Sequence, residues 1–339
     1  MMTRASALVL LFSIFLFAGI SAHAYRPIND DQLKELVQSF NYVANVELVR
    51  TGAPGCTGQD VEFNTTYPQR DSKLSIQGKT YIPTGNAEPV PVVFMLPPLG
   101  GANQLDVLMA QTFCKNNVAA IILTTNLTGL DGPSLVAVTD HDHTHRRVAA
   151  ALKGAMVLAR TFNEINPEKM GLFGASLGGI LGSVAYSVLP EISAGTFLVN
   201  GGDVPNILAN SDQGVVVKLK NQRMAEQHFT TTEEYERYLN ENLKIDPMHF
   251  TRFIQSDTIK LFLSKADKSV PSADQMLYYN ALGQPKETKF YMIGHAETIV
   301  AVLAIGQGKQ QIVDWFKSRF AQRNPRLGPN IWDAVKFRF

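Results

Sequence analysis

The feature that most constrains the fold is an alternation of short apolar runs and helix-like segments that begins at residue 90. The apolar runs are nearly continuous, which is typical of strands buried on both faces. They lie at residues 90–96, 118–123, 169–173, 196–199, 259–263 and 288–292. Helical segments follow them, at residues 104–116, 146–162 and 177–189. The alternation predicts an α/β fold, with a mostly parallel central sheet and helices on both faces.

Two stretches depart from this alternation. Before residue 90, helical spacing covers residues 30–49, a Gly- and Pro-rich loop covers residues 51–58, and alternating apolar residues near 61–81 indicate antiparallel strands. Between residues 203 and 257 the only strand-like run is the ambiguous segment 215–219, while residues 232–243 have helical spacing. We interpret residues 203–257 as a helical insertion that forms a lid, because insertions over the carboxyl ends of parallel strands usually line the site. A surface excursion without function is the alternative.

One motif carries chemistry in a specific context. Gly174-Ala-Ser176-Leu-Gly178 is a G-x-S-x-G sequence, with an apolar strand before it and a helix after it. A nucleophilic serine must protrude from a sharp strand-to-helix turn, and small neighbours let the adjacent chain segments pass close by. The positive end of the following helix points at the same place. Ser176 is therefore the candidate nucleophile.

On these residues the chain resembles the α/β-hydrolase family, in particular its dienelactone-hydrolase-like and acyl-esterase branches. The resemblance covers roughly residues 60–320. It implies a nucleophile after the third parallel strand, then an acid, then a histidine near the carboxyl terminus. It also implies a serine hydrolase that needs neither a metal nor an organic cofactor. A serine at the nucleophile position argues against strict dienelactone hydrolase chemistry.

The candidates for the acid and the base follow from their positions after apolar runs and from the resemblance to the family. Asp267 follows the apolar run 259–263 and precedes Val-Pro, which matches the acid-bearing loop of the family. Asp203, after an earlier strand, is the second candidate for the acid. His295 lies in a Gly-His pair after the last apolar run, where it would act as general base toward Ser176. Glu297 is too close to His295 in sequence to meet it in the required geometry.

Two backbone N–H groups are needed to stabilise an oxyanion. The residue after the nucleophile, Leu177, supplies one. The loop after residues 90–96 supplies the other, and aligning its Gly-Gly pair with the family pattern selects Leu99. Many relatives carry His-Gly at the start of this loop, whereas this chain has Pro97-Pro98, which have no N–H to donate.

The amino terminus indicates export. Residues 1–24 combine Arg4, an apolar run of about 14 residues and the small-x-small sequence Ala22-His-Ala24, so we expect a signal peptide cleaved after Ala24. An uncleaved anchor is the alternative. The expected location is secreted or periplasmic, without stable membrane insertion after cleavage. In such an oxidising space Cys56 and Cys114 either form a disulfide or remain two separate buried thiols.

The expected organisation follows from these assignments. Residues 25–59 form an amino-terminal extension, and residues 60–202 and 258–320 form the hydrolase core. Residues 321–339 form a basic, aromatic tail that we expect to pack across the domain, with binding to a partner as the alternative. Asn64 and Asn126 begin glycosylation sequons, which matter only in a host that glycosylates.

The charge balance argues against nucleic-acid binding, and the spacing of the histidines and aspartates argues against a metal site. Lys and Arg number 31 against 30 Asp and Glu, so no basic excess exists for a nucleic-acid backbone. Asp140, His141, Asp142, His143 and His145 are metal-ligand types, but residues two apart do not share a helix face. The segment leads into a helix that starts near residue 146, where we expect its Asp and Thr residues to act as caps and first-turn acids, and we expect no metal site.

The sequence thus predicts a serine hydrolase acting on small-molecule carboxylic esters or thioesters through an acyl-enzyme. A peptidase of the same fold, a non-catalytic binding module and a metal-storage role for the histidine cluster are the alternatives.

Overall fold

A single sheet organises the chain. The computed structural model describes residues 25–67, 72–124 and 136–327. The strands are β1 (Val46–Arg50), β2 (Gly55–Tyr67), β3 (Ser72–Ile82), β4 (Val90–Leu96), β5 (Ala119–Leu123), β6 (Ile165–Ala175), β7 (Ile192–Leu198), β8 (Ile259–Ser264) and β9 (Thr288–Tyr291). Their spatial order is β1-β2-β3-β5-β4-β6-β7-β8-β9. Strands β1 to β3 run antiparallel to their neighbours, and β4 to β9 pair in parallel.

Helices cover both faces of this sheet. They are α1 (Asp30–Gln38), α2 (Gln104–Lys115), α3 (Val136–Ala159), α4 (Leu177–Val188), α5 (Val204–Asn210), α6 (Gly214–Glu226), α7 (Thr232–Asn242), α8 (Pro247–Phe250), α9 (Ser272–Ala281), α10 (His295–Val300) and α11 (Gly308–Phe320). Successive residues of β4 point to opposite faces. Phe94 packs into a core with α1, α3 and α4, whereas Met95 packs into a second core with α2 and α11. The predicted α/β class, with a mostly parallel sheet between two helical layers, is confirmed.

The first expectation to fail concerns residues 30–49. Helix α1 starts with a capping box between Asn29 and Gln32 but stops at Gln38. Residues 46–50 instead form the edge strand β1, in which Leu48 pairs with Phe63 of β2. The valines at this end suit a strand, and pairing with β2 outweighs their helical spacing. Strand β2 begins at Gly55, inside the expected loop, so the expected boundary at residue 59/60 falls within a strand.

The second failure concerns the start of α3. The helix begins at Val136, ten residues before the expected start near residue 146, so His141, His143 and His145 lie within it rather than before it. The polar residues before position 146 are typical of a helix cap. Here they lie within α3, and neighbouring elements bury one side of this part of the helix. His145 is only 3% exposed, and the Asp142 carboxylate is buried as well.

The segment between β7 and β8 is helical, and the ambiguous run 215–219 belongs to α6. Its apolar residues form a third cluster with Ile180 of α4 and Val270. Two carboxylates hold this segment in place. Asp246 accepts hydrogen bonds from the backbone N–H groups of Asp203 (3.1 Å) and Val204 (2.5 Å). Asp142 accepts from the backbone N–H of Ile245 at 2.8 Å.

Cys56 and Cys114 form a disulfide, with their Cα atoms 5.7 Å apart. It joins the start of β2 to the end of α2, on the face of the sheet that α2 covers. Of the two sequence alternatives, the structure therefore contains the bridged one.

Several sequence assignments lie outside the described residues: the signal peptide 1–24, the sequon at Asn126 and the tail beyond Leu327. Asn64 of the other sequon lies on β2, where its side chain donates to Glu47. None of the helices in the described ranges combines the length and apolar character needed to cross a bilayer.

Candidate active site

Ser176 occupies the turn between β6 and α4. Its backbone has φ 54° and ψ −124°, a conformation that L-residues rarely adopt and that costs of order 1–3 kcal/mol. The Ser176 N–H donates to the carbonyl of Leu198 in the neighbouring strand at 2.8 Å, which holds the turn against the sheet. The helix begins at the next residue, so Ser176 lies at the positive end of α4.

The glycines of the motif are required by packing. A Cβ on Gly174 would lie 2.3 Å from the carbonyl oxygen of Gly178, and a Cβ on Gly178 would lie 2.2 Å from the carbonyl oxygen of Leu96. Both contacts are with backbone atoms that have no room to retreat. The spacing of the motif therefore reflects two close backbone approaches around Ser176.

The side chain of His295 contacts that of Ser176, although the two residues are 119 positions apart in sequence. Its Nε2 is 2.8 Å from Ser176 Oγ, and its Nδ1 is 2.6 Å from Asp267 Oδ2. A carboxylate can only accept, so the proton on this imidazole is favoured on Nδ1, and Nε2 keeps a lone pair toward the serine hydroxyl. The three side chains form one hydrogen-bonded row.

Asp267 is held from several sides. Its Oδ1 accepts from the backbone N–H groups of Ser269 (2.8 Å) and Val270 (3.0 Å), and its Oδ2 accepts from Gln275 Nε2 at 2.7 Å. The residue is 4% exposed. These donors satisfy a buried carboxylate and fix the oxygen that faces His295.

A small cavity adjoins this row. It has a volume of about 70 Å³, and Ser176, His295, Leu177 and Leu99 are among the residues that line it. Leu177 is the first residue of α4, where backbone N–H groups have no partner within the helix. Leu99 follows β4 in the loop expected to supply the second donor. Both candidate oxyanion residues therefore border the space next to Ser176.

Solved structures share this architecture. Acetyl xylan esterase 1 from Thermoanaerobacterium sp. has a TM-score of 0.63 at 14% identity, covering 87% of this chain and 95% of that chain. An acetyl xylan esterase from Paenibacillus sp. has a TM-score of 0.57 at 16% identity, covering 85% and 92%. The chain has the α/β-hydrolase fold.

A third structure with this α/β-hydrolase fold is an acylaminoacyl peptidase from Pyrococcus horikoshii. Its TM-score is 0.53 at 15% identity, covering 82% of this chain but only 44% of that chain. No protein-family model and no curated protein matches the sequence. At 14–16% sequence identity, the similarity to these three structures is a similarity of fold.

The other acids considered from sequence lie elsewhere in the α/β-hydrolase fold. Asp203 caps α5, where its side chain accepts from Asn206 N. Glu297 is exposed, and its carboxylate lies against Gly294 rather than against the Nδ1 of His295.

Sequence reasoning missed three residues around the site. Gln275 belongs to no recognisable motif, although its side chain donates to Asp267. The sequence analysis predicts no site role for His141 and His145, yet both line the cavity beside Ser176. The missed signal was their spacing: four residues apart on a helix place two side chains on one face. Among the described residues, no group of three or more ligand-type side chains is arranged to hold a metal.

Proposed function

We propose that this protein is a carboxylic ester hydrolase that works through an acyl-enzyme on Ser176. The observation that carries the proposal is the row from Ser176 Oγ through His295 to Asp267, with distances of 2.8 and 2.6 Å, beside a cavity. This is the arrangement that turns a hydroxyl into a nucleophile, because a base lies within reach of its proton and a third group orients the base.

In the first half of the reaction, His295 Nε2 takes the proton of Ser176 Oγ as the oxygen attacks the carbonyl carbon of the ester. The electron pair of the carbonyl bond moves to oxygen. The N–H groups of Leu177 and Leu99 would stabilise that oxyanion. Asp267 stays ionised and stabilises the imidazolium through Nδ1–H.

The tetrahedral intermediate then collapses. The imidazolium gives its proton to the leaving alcohol oxygen as the carbon–oxygen bond breaks, which leaves the acyl group on Ser176. A water molecule repeats the sequence, with His295 as its base, and releases the acid. These steps use the chain's own residues and require no cofactor.

The size of the cavity indicates a short acyl group. The volume of about 70 Å³ is small, which favours a compact acyl group. Two structural neighbours are named acetyl xylan esterases, which fits a small acyl group. An ester of acetyl to butyryl size is therefore the substrate class we propose.

We further propose that the enzyme acts outside the cytoplasm after cleavage following Ala24. The disulfide between Cys56 and Cys114 supports an oxidising location. Amino-terminal sequencing of the protein recovered from its host should begin at Tyr25. Recovery of a chain that still carries residues 1–24 would contradict export by cleavage.

The test of the catalytic proposal is hydrolysis of p-nitrophenyl esters of two to ten carbons by the wild type and by Ser176→Ala. We expect kcat/KM to fall by about 1,000-fold or more in the variant and to decrease with chain length beyond four carbons in the wild type. Ser187→Ala is the matched control, since this serine lies on α4 and donates to Val184 O.

Two results would count against the proposal. Equal activity of Ser176→Ala and the wild type would remove Ser176 as the nucleophile. Absence of both ester hydrolysis and labelling of Ser176 by a serine-reactive phosphonate would favour a non-catalytic binding module.

A further inference from the structure

The cavity beside Ser176 has a polar wall formed by two histidines. The rest of its lining is mainly apolar side chains of α4, α5 and α6, such as Ile180, Ile207 and Val216, with Ser211, Gln213 and Ser269 as further polar residues. The polar wall consists of His141 and His145, one turn apart on α3. This wall plays no part in the proton transfers described above, so its chemistry needs a separate explanation.

One nitrogen of each imidazole is buried without a hydrogen-bond partner. His141 Nε2 and His145 Nδ1 are inaccessible to solvent and unpaired among the described residues. Leaving such a group unpaired costs about 1–3 kcal/mol. Buried polar groups in native proteins are otherwise almost always satisfied, and an unsatisfied one calls for an explanation. Both rings also line the cavity beside the candidate nucleophile, so a polar group bound there meets an imidazole on this wall.

The surroundings determine which kind of group would pair. Arg223 is fully buried behind this wall, and its Nε and Nη2 are also unpaired, while Nη1 donates to the Tyr235 hydroxyl at 3.2 Å. Burial, together with the charge of Arg223, lowers the pKa of His141 to about 3, and burial lowers the pKa of His145 to about 3 as well. The imidazoles are therefore neutral near pH 7, and each holds one N–H. None of the described residues that line the cavity carries a carboxylate. A neutral imidazole can donate or accept, but the positive charge of Arg223 makes this wall electropositive and so favours a ligand atom that accepts a hydrogen bond.

We propose that His141 and His145 form a polar subsite that selects short acyl groups carrying an oxygen acceptor over hydrocarbon acyl groups of the same size. The inference rests on the proposed function, because it assigns the cavity to the acyl part of the ester. When the carbonyl carbon lies at Ser176 Oγ and its oxygen near Leu177 N–H, the acyl chain extends into the space that these histidines border. An ether or hydroxyl oxygen in that chain accepts from one imidazole N–H.

A pair of esters isolates this effect. p-Nitrophenyl methoxyacetate and p-nitrophenyl butyrate share a leaving group and differ by one oxygen in place of a methylene. Their intrinsic reactivities differ, so the ratio of their kcat/KM values is divided by the ratio of their hydroxide-catalysed rates. We expect the corrected ratio to favour methoxyacetate by about tenfold in the wild type, the effect of one net hydrogen bond.

The variants His141→Leu and His145→Leu are expected to bring the corrected ratio toward one. The conservative variant His145→Gln, which keeps a donor and an acceptor, should restore part of the preference. His143→Leu is the matched control, because this histidine lies on the same helix but does not line the cavity. It should keep the wild-type ratio. A corrected ratio near one in the wild type, or one that His141→Leu and His145→Leu leave unchanged, overturns the inference while leaving ester hydrolysis intact.

Binding separates this inference from the proposed function. In the Ser176→Ala protein, ethyl methoxyacetate and ethyl butyrate are titrated while the imidazole NMR resonances are followed. Tighter binding of the methoxyacetate ester, with shifts of the His141 and His145 signals and loss of the preference in His145→Leu, supports the subsite even if the wild type hydrolyses neither ester. Equal binding of the two esters overturns it.

Discussion

Gln275 shows how a single side chain orients the candidate acid. Its Nε2 donates to Asp267 Oδ2 at 2.7 Å and to the carbonyl of Val270 at 2.8 Å, while its Oε1 accepts from Ser264 N at 2.9 Å. The residue is fully buried, so no water replaces these bonds. Gln275 therefore ties the end of β8 to the loop that presents Asp267. We regard it as a positioning residue, since it does not line the cavity.

The variant Gln275→Met keeps the volume of the side chain and removes these hydrogen bonds. We expect kcat to fall by about 10- to 100-fold with KM little changed, because the carboxylate loses its fixed orientation toward His295. The free energy of unfolding should fall by about 1–3 kcal/mol. Steady-state kinetics with p-nitrophenyl acetate and urea denaturation measure the two effects.

The control for this prediction is Gln310→Met, at an exposed position on α11 that does not line the cavity. This variant should leave kcat and the free energy of unfolding near the wild-type values. A Gln275→Met protein with full kcat would show that the backbone donors of Ser269 and Val270 suffice to orient Asp267.

At the scale of secondary-structure elements, hydrogen bonds and a disulfide connect segments that are distant in sequence. Asp142 on α3 accepts from the chain that returns from the helical insertion, and Asp246 accepts from the start of α5. The Asp142 bond thus ties the insertion to α3, and the Asp246 bond ties the end of the insertion to its start. The insertion also forms one side of the cavity. The disulfide plays a comparable part on the opposite layer, where it joins β2 to α2.

Removing that disulfide tests how much this tie contributes. Cys56 and Cys114 are 58 residues apart in sequence, and closing a loop of this length stabilises a protein by about 4 kcal/mol in the chain-entropy model. We expect the double variant Cys56→Ala, Cys114→Ala to lose about that much free energy of unfolding. Neither cysteine lines the cavity, so kcat at 25 °C should stay within twofold.

Reductant provides the matched comparison for the disulfide. Dithiothreitol should lower the urea midpoint of the wild type toward that of the double variant and leave the double variant unchanged. If thiol titration shows that both cysteines are reduced and the urea midpoint of the wild type is nevertheless unchanged, the disulfide does not stabilise the protein.

For the whole molecule, buried titratable groups set the response of stability to pH. Burial lowers the pKa of His145 from 6.5 to about 3. The unfolded chain then binds a proton below pH 6.5 that the native state does not bind, so this residue makes stability fall as pH falls. Asp274 acts with the opposite sign, because burial raises its pKa to about 8 and the native state retains a proton that the unfolded chain releases.

We therefore expect His145→Leu to change the pH dependence of the free energy of unfolding. Between pH 7 and pH 5 the wild type should lose about 2 kcal/mol more than the variant, as linkage predicts for one histidine with these two pKa values. Urea denaturation at both pH values measures the difference, in which the contribution of Asp274 cancels. Parallel losses in the two proteins would show that His145 is protonated in the native state.

The sequence by itself determined the features that local chemistry controls. Continuous apolar runs predicted the parallel strands, because burial on both faces leaves no solvated side. The glycines around Ser176 predicted the turn, because a side chain at Gly174 or Gly178 would collide with backbone. The positions of Asp267 and His295 after strand ends predicted that they would lie at the same edge of the sheet as Ser176. The structure brings these three side chains into hydrogen-bond contact, and their catalytic roles stay predictions.

Only the tertiary structure decided what depends on contacts between distant segments. Residues 46–50 became strand rather than helix because β2 offers them a partner. The start of α3 and the burial of His141 and His145 depend on the insertion that packs over them, more than 60 residues later in the chain. Gln275 acts through three groups that it meets only when β8 and α9 have packed. Local propensities are weak compared with such contacts, and a single sequence does not reveal which distant residues will meet.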